Sequence, residues 1–206
     1  MKENGKLLSR LLITALRAIC FLAKTDESNK LFLGEIGTCE VVIKALNLYI
    51  NDRVIFAPIC EIVDALIEQN DSDGIKFGDT EGCEVILKVL NFHATETDIT
   101  LVATRAVGSL AIIDTNKTKL GIAGGCELVV KSLYLHLEEK EVAECACSAI
   151  CLLALNDTNG KDFGAGGWKK TVIKALNLHI KEKEVVKNAC LAILTLIHQD
   201  DTMLIN

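Results

Sequence analysis

The chain has 206 residues, of which 50% are apolar and only 4% aromatic, and its net charge is −6 from 22 basic and 28 acidic residues. This composition predicts a core of aliphatic side chains, and the presence of only one proline, Pro58, favours packed helices over a sandwich or barrel. The acidic balance argues against a surface that binds nucleic acid or anionic membranes as a whole.

Residues 7–23 form an apolar-rich helical pattern. No apolar run in the sequence reaches the roughly 18 residues that a membrane span needs. Polar and charged residues interrupt or bound the apolar stretch, so a signal peptide is not expected. We therefore expect an intracellular protein, in the cytoplasm, whose nine cysteines are reduced thiols.

A repeat follows this helix. The string VIKALNL at 42–48 recurs unchanged at 172–178, and related copies stand at 85–92 and 128–135. The copies are 43 or 44 residues apart, a period typical of helical solenoids. The sequence therefore predicts a single repeat domain over 1–206. Its parts are a leading partial repeat at 1–25, repeats at about 26–69, 70–113, 114–156 and 157–200, and the start of a further repeat at 201–206.

Each unit is predicted to contain three helices. In the first unit a short helix covers about 28–34, glycines 34 and 37 make a sharp turn, and a second helix covers about 39–50. Glu40 lies four residues before Lys44, a spacing that favours an ion pair and recurs at Glu84 with Lys88 and Glu127 with Lys131. The third helix is apolar nearly all round and should be buried. It is expected at about 53–68, 98–112, 141–155 and 184–198.

This pattern of short helix, glycine turn, apolar helix and alanine-rich third helix resembles the armadillo repeat family, with HEAT repeats as the related alternative. The resemblance implies an all-α, right-handed superhelix whose third helices line a concave protein-binding surface. Family members that grip extended peptides carry a tryptophan on the third helix and an asparagine four residues later. Neither residue is present here. The tryptophan positions hold Arg17, Glu61, Arg105, Ser148 and Leu191, and the asparagine positions hold Phe21, Ala65, Ser109, Leu152 and Thr195.

Cysteines and histidines could suggest a metal site. However, His93, His136 and His179 occupy one repeat position, which Tyr49 holds in the first unit, and Cys39, Cys83 and Cys126 share another. Stacked repeats lie about 8–10 Å apart, too far for one tetrahedral zinc ion. We interpret these residues as structural and expect neither a metal nor a cofactor. The glycine-rich segments at 121–125 and 164–167 lack the Gly-Lys-Ser/Thr of a phosphate-binding loop.

Charged residues on the apolar third helices are costly to bury and should face solvent. Arg17, Glu61 and Arg105 are predicted to form a ladder of alternating charge on the concave face. The candidate partner-binding residues are Arg17, Phe21, Glu61, Arg105, Ser109, Ser148, Leu152 and Thr195.

The function expected from the sequence is a non-catalytic scaffold that binds a protein partner. One alternative is a segment of a larger solenoid, or a chain that associates end to end, because the array begins and ends within a repeat. The other is an enzyme that depends on a thiol or a metal and uses Cys145, Cys147 or Cys151.

Overall fold

The computed structural model describes the backbone of residues 2–67, 71–165 and 167–205, and side chains in those ranges except at 2–9, 53, 71, 164–165 and 199–205. In this part of the chain all the regular elements are α-helices. They are α1 Lys2–Thr25, α2 Glu27–Glu35, α3 Thr38–Leu48, α4 Arg53–Ile67, α5 Asp71–Asp79, α6 Gly82–Phe92, α7 Thr97–Leu110, α8 Asp114–Ile122, α9 Gly125–Leu135, α10 Lys140–Ala154, α11 Asp157–Ala165, α12 Trp168–Leu178 and α13 Lys183–Ile205.

Three parallel stacks of helices run along the molecule. Each of the third helices α4, α7, α10 and α13 contacts the next, and α1 contacts α4 as a further member of this stack. The second helices α3, α6, α9 and α12 form another stack, and the first helices α5, α8 and α11 form part of the remaining one. The expected all-α solenoid of armadillo-like repeats is therefore confirmed.

The predicted helix limits are close to the observed ones, with one large difference at the end of the chain. Helix α13 continues without a break to Ile205, beyond the predicted limit of 198. The division into units, including the partial repeat at 1–25 and the further repeat at 201–206, stays a prediction.

The core is a continuous aliphatic layer between the second and third helices. Leu46, Leu90 and Leu133 hold the same repeat position and are fully buried. On the facing third helices, one repeat position holds Ile62 in the first unit and alanine at 106, 149 and 192 in the later units, and all four side chains are fully buried. The small side chains let successive helices approach closely, and the burial of so much apolar surface accounts for the cohesion of the stack.

The turn into each second helix requires a left-handed backbone. Glycine provides this conformation at Gly37, Gly124 and Gly167, with φ between 70° and 83°. In the second unit the same position is Glu81, with φ 64°. A side chain in this region is strained, because its Cβ approaches the backbone carbonyl.

The glycines at 34, 78 and 121 have a different role from the turn that we predicted for them. They are buried inside the first helices. Each lies against a side chain of the next unit, and that side chain always comes from the same repeat position: Asp73 for Gly34, Asn116 for Gly78 and Asn159 for Gly121. A Cβ at Gly78 would lie 1.8 Å from Oδ1 of Asn116. These glycines therefore allow close contact between neighbouring units. Gly166 lies outside the described residues.

The partners of these glycines connect the units by hydrogen bonds. Asn116 donates from Nδ2 to the carbonyl of Gly74 at 2.9 Å, and Asn159 donates to the carbonyl of Lys117 at the same distance. Asn116 and Asn159 are fully or almost fully buried, so each amide replaces lost solvent contacts with a bond to the preceding unit.

In the described part of the chain, none of the helices is both long and apolar enough to cross a bilayer.

Candidate functional site

The exposed faces of α1, α4, α7, α10 and α13 together form what we call the third-helix groove. All eight predicted partner-binding residues lie on these helices. Arg17, Phe21 and Arg105 are exposed, whereas Glu61, Ser109, Ser148, Leu152 and Thr195 are half-buried. Ala65, which holds an asparagine position of the peptide-gripping pattern, is buried.

Two cavities open along the groove. The first, of about 320 Å³, lies between α1 and α4 and brings Arg17, Phe21 and Glu61 together. The second, of about 270 Å³, extends across α7, α10 and α13. Among its lining residues are Arg105, Ser109, Ser148 and Leu152, together with Glu144, Cys145 and Asn188, which were not predicted. Thr195 lines neither of these cavities.

The charge ladder differs from the prediction at its centre. Glu61 accepts a hydrogen bond from Nζ of Lys24 at 3.2 Å, and its carboxylate also receives the Cys20 thiol at 3.6 Å. The charge of Glu61 is thus partly compensated from α1, although both side chains of the Lys24 pair remain about half exposed. Lys24 was missed because its repeat equivalent is Glu68, so the repeat pattern did not mark the position as basic.

Arg105 also has a neighbouring carboxylate that the sequence analysis missed. Asp64 accepts a hydrogen bond from the Ser109 hydroxyl, and it contributes to the electrostatic environment of Arg105. The groove therefore carries cations and anions from neighbouring helices side by side. Sequence reasoning found Arg105 and Ser109 from their repeat positions but could not place Asp64, which has no charged equivalent in the other units.

The three histidines join neighbouring units. Nε2 of His93, His136 and His179 lies 3.0, 2.8 and 2.8 Å from the backbone carbonyl of Ile50, Ala94 and Leu137, respectively. Since a carbonyl only accepts, Nε2 is a donor in each ring. Nδ1 of His93 also meets the Glu96 carboxylate at 2.6 Å, and Nδ1 of His136 meets the Thr97 hydroxyl at 3.2 Å. These bonds agree with a structural interpretation of the histidines.

The shared cysteine position also contributes to packing. The thiol of Cys39 donates to the carbonyl of Asp73 at 3.8 Å, and Cys126 donates to Asn159 at 3.9 Å. Over the described ranges, no three histidine, cysteine or acidic side chains come together in an arrangement that could hold a metal ion.

Burial makes the interior thiols weak acids. Loss of solvation raises the pKa of Cys39, Cys60, Cys83, Cys126 and Cys147 to about 12. It also raises the pKa of Cys145, even though the neighbouring Arg105 acts in the opposite direction. These thiols are therefore protonated at neutral pH, the opposite of what an activated cysteine nucleophile needs.

Comparison with known proteins identifies the fold. No protein-family model and no curated protein matches the sequence. Among solved structures, the chain is similar to an engineered protein with a TM-score of 0.79 and 24% identity, over 89% of this chain and 72% of the other. It is also similar to a designed armadillo repeat protein in complex with the peptide (KR)4, with a TM-score of 0.77 and 21% identity, over 88% of this chain and 74% of the other.

A third solved structure belongs to the computationally designed armadillo repeat proteins for modular peptide recognition. Its TM-score is 0.78 at 21% identity, over 91% of this chain and 76% of the other. The chain therefore has an armadillo-type repeat fold, as its sequence pattern indicates.

Proposed function

We propose that this protein is a non-catalytic interaction module that binds a protein partner in the third-helix groove. The observation that carries the proposal is the chemistry of the groove itself. Charged, hydroxyl, amide and apolar side chains are accessible along five stacked helices, and two cavities open between them. The similar designed proteins include one in complex with a peptide, which supports a binding role for a fold of this kind.

The groove residues point to a partner with a varied surface. Residues at one repeat position differ from unit to unit, as in Arg17, Glu61, Arg105 and Ser148. A cationic and apolar cavity near α1 is followed by a cavity that combines Arg105 with Glu144 and Ser148. A ligand that fits both cavities needs different side chains at each, so we propose a folded or irregular protein surface as the partner.

A thiol-dependent enzyme has less support. Of the three cysteines considered for that role, Cys147 is fully buried and Cys145 has a raised pKa. Cys151 is half-buried, and its Sγ lies 3.6 Å from the Thr195 hydroxyl. No histidine or carboxylate general base contacts any of these thiols in the described part of the chain, so the cysteines are better explained by packing.

The proposal is tested by a double charge reversal in the groove. Proteins captured from cells by the immobilised chain are compared with those captured by the Arg17→Glu, Arg105→Glu variant. A control with Lys161→Glu and Lys170→Glu makes the same change in net charge at exposed residues of α11 and α12. We expect the groove variant to lose a partner that the control retains. Retention of every captured protein by the groove variant contradicts the proposal.

A further inference from the structure

The second helices expose the same side chains in every unit. On each helix a lysine is followed three residues later by a polar residue and four residues later by a large apolar residue. All of these side chains are exposed. We call this surface the second-helix face, and its three rows are Lys44, Lys88, Lys131 and Lys174; Asn47, Asn91, Tyr134 and Asn177; and Leu48, Phe92, Leu135 and Leu178.

Core packing does not explain this repetition. Leu48 is 77% exposed, and Phe92 and Leu178 are 61% and 55% exposed. Side chains this accessible contribute little to the stability of the folded state. They nevertheless recur from unit to unit, whereas the groove residues at equivalent positions differ between units. Four large apolar side chains aligned on one surface also exceed the scattered exposure that is normal in a soluble protein.

The lysines are also available for a partner. The predicted pairs of Glu40 with Lys44, Glu84 with Lys88 and Glu127 with Lys131 do not form ion pairs in the described structure. Instead, Nζ of Lys131 donates to the side-chain oxygen of Asn91 on the preceding helix at 3.2 Å. The lysine and asparagine rows of adjacent units are thus close enough to contact one ligand together.

A cavity of about 520 Å³ lies on this face between α9 and α12. Tyr134, Leu135 and Lys174, one member of each row, are among its lining residues. Glu138 and Glu139 also line it. The cavity therefore holds a cation, Lys174, as well as two carboxylates, and an acidic group of a ligand is favoured only beside the lysine.

The spacing of the rows matches an extended polypeptide. Stacked helices lie about 8–10 Å apart. In the extended polyproline II conformation, three residues make one turn and advance about 9 Å at roughly 3.1 Å per residue, so every third side chain lies on the same side. One repeat can therefore meet one three-residue step, in which an acidic side chain pairs with lysine and an apolar side chain packs on Leu48 or its equivalent. The exposed asparagine amides can both donate to and accept from the peptide backbone.

We propose that the second-helix face binds an extended acidic protein segment with a three-residue repeat of acidic and apolar side chains. This is a second interaction surface, and it does not depend on the function proposed for the groove. An anionic membrane also attracts lysines beside apolar residues. The amides of Asn47, Asn91 and Asn177 favour a peptide, whose backbone offers a donor and an acceptor at every residue.

The test measures fluorescence anisotropy of a labelled peptide made of four Asp-Ser-Leu steps, with a Lys-Ser-Leu peptide as the charge control. The full chain is compared with its Lys44→Glu, Lys88→Glu, Lys131→Glu variant. A matched variant carries Lys161→Glu, Lys183→Glu and Lys187→Glu, which reverse three exposed lysines outside the second-helix face. Circular dichroism checks that each variant is folded, and vesicles with and without phosphatidylserine provide the lipid comparison.

We expect saturable binding of the acidic peptide, at least about tenfold weaker in the row variant and nearly unchanged in the matched variant. Arg105→Glu should leave this binding unchanged, which separates the second-helix face from the groove. The proposal is overturned if the acidic peptide does not bind, if both triple variants lose binding equally, or if the rows are needed only for vesicles.

Discussion

Replacement of Gly121 by alanine tests how the units are held together. A Cβ at this position would lie 1.7 Å from Oδ1 of Asn159, so the asparagine must move. Its Nδ2 would then lose hydrogen bonds to the carbonyls of Lys117 at 2.9 Å and Leu153 at 3.2 Å. Asn159 is only 1% exposed, and buried polar groups left without partners cost about 1–3 kcal/mol.

Alanine also favours the helix over glycine by about 0.5–1 kcal/mol, which offsets part of the loss. The net expectation for Gly121→Ala is a decrease of roughly 1–2 kcal/mol in the free energy of unfolding. Gly108→Ala is the matched control, because that glycine is also buried within a helix and its Cβ would meet only Ala149, at 3.9 Å. The control should gain up to about 1 kcal/mol.

Urea unfolding followed by circular dichroism measures both variants. The role of the asparagine is tested by introducing Gly121→Ala into an Asn159→Ala background. There the clash with Oδ1 of Asn159 is absent, so the substitution should lower the free energy of unfolding much less. The reasoning is refuted if Gly121→Ala and Gly108→Ala change stability in the same direction, or if the cost of Gly121→Ala is the same in both backgrounds.

Three further predictions concern strain, a buried carboxyl and thiol reactivity. Glu81→Gly should raise the free energy of unfolding by about 1 kcal/mol, because glycine relieves the left-handed strain, and an unchanged urea midpoint contradicts this. Burial raises the pKa of Asp73, so the cost of its charge to stability is present above the folded pKa and declines as pH falls through it. Asp73→Asn should therefore be more favourable to stability at neutral pH than in acid, even though it removes the ion pair with Lys76 at 3.5 Å; a change in stability that is independent of pH contradicts the account. Exposed Cys190 should react with a thiol reagent long before Cys39, Cys83 and Cys147, as peptide mapping of the alkylated native protein would show; early labelling of the buried cysteines refutes it.

The repeat pattern predicted the helices well, because they depend on apolar periodicity, and the candidate residues lie on the third helices because each has a fixed position within a unit. It could not distinguish the two roles of glycine. Gly37 and Gly34 look alike in the sequence, but the former adopts φ 82° and the latter makes room for Asp73. The second role depends on contact between units, which a single repeat does not encode.

The contacts between groove side chains also could not be predicted from the repeat pattern. Arg17 and Glu61 were aligned by the repeat, but the partner of Glu61 is Lys24, one turn beyond the positions compared. Asp64 likewise has no charged equivalent in the other units. The side-chain pairs that set local electrostatics depend on packing between helices, so sequence identified the surface and the structure was needed for its charge arrangement.

Photo-crosslinking from the centre of the groove tests the proposed binding function most directly. A photoreactive amino acid at Ser148, which lines the groove cavity that extends across α7, α10 and α13, is compared with the same group at exposed Lys161 outside the groove. The account predicts that a cellular partner crosslinks through position 148 and not through position 161, and that Arg17→Glu with Arg105→Glu abolishes the product. A partner that crosslinks through position 161 alone, or a product that persists at full yield in the charge-reversal variant, would contradict it.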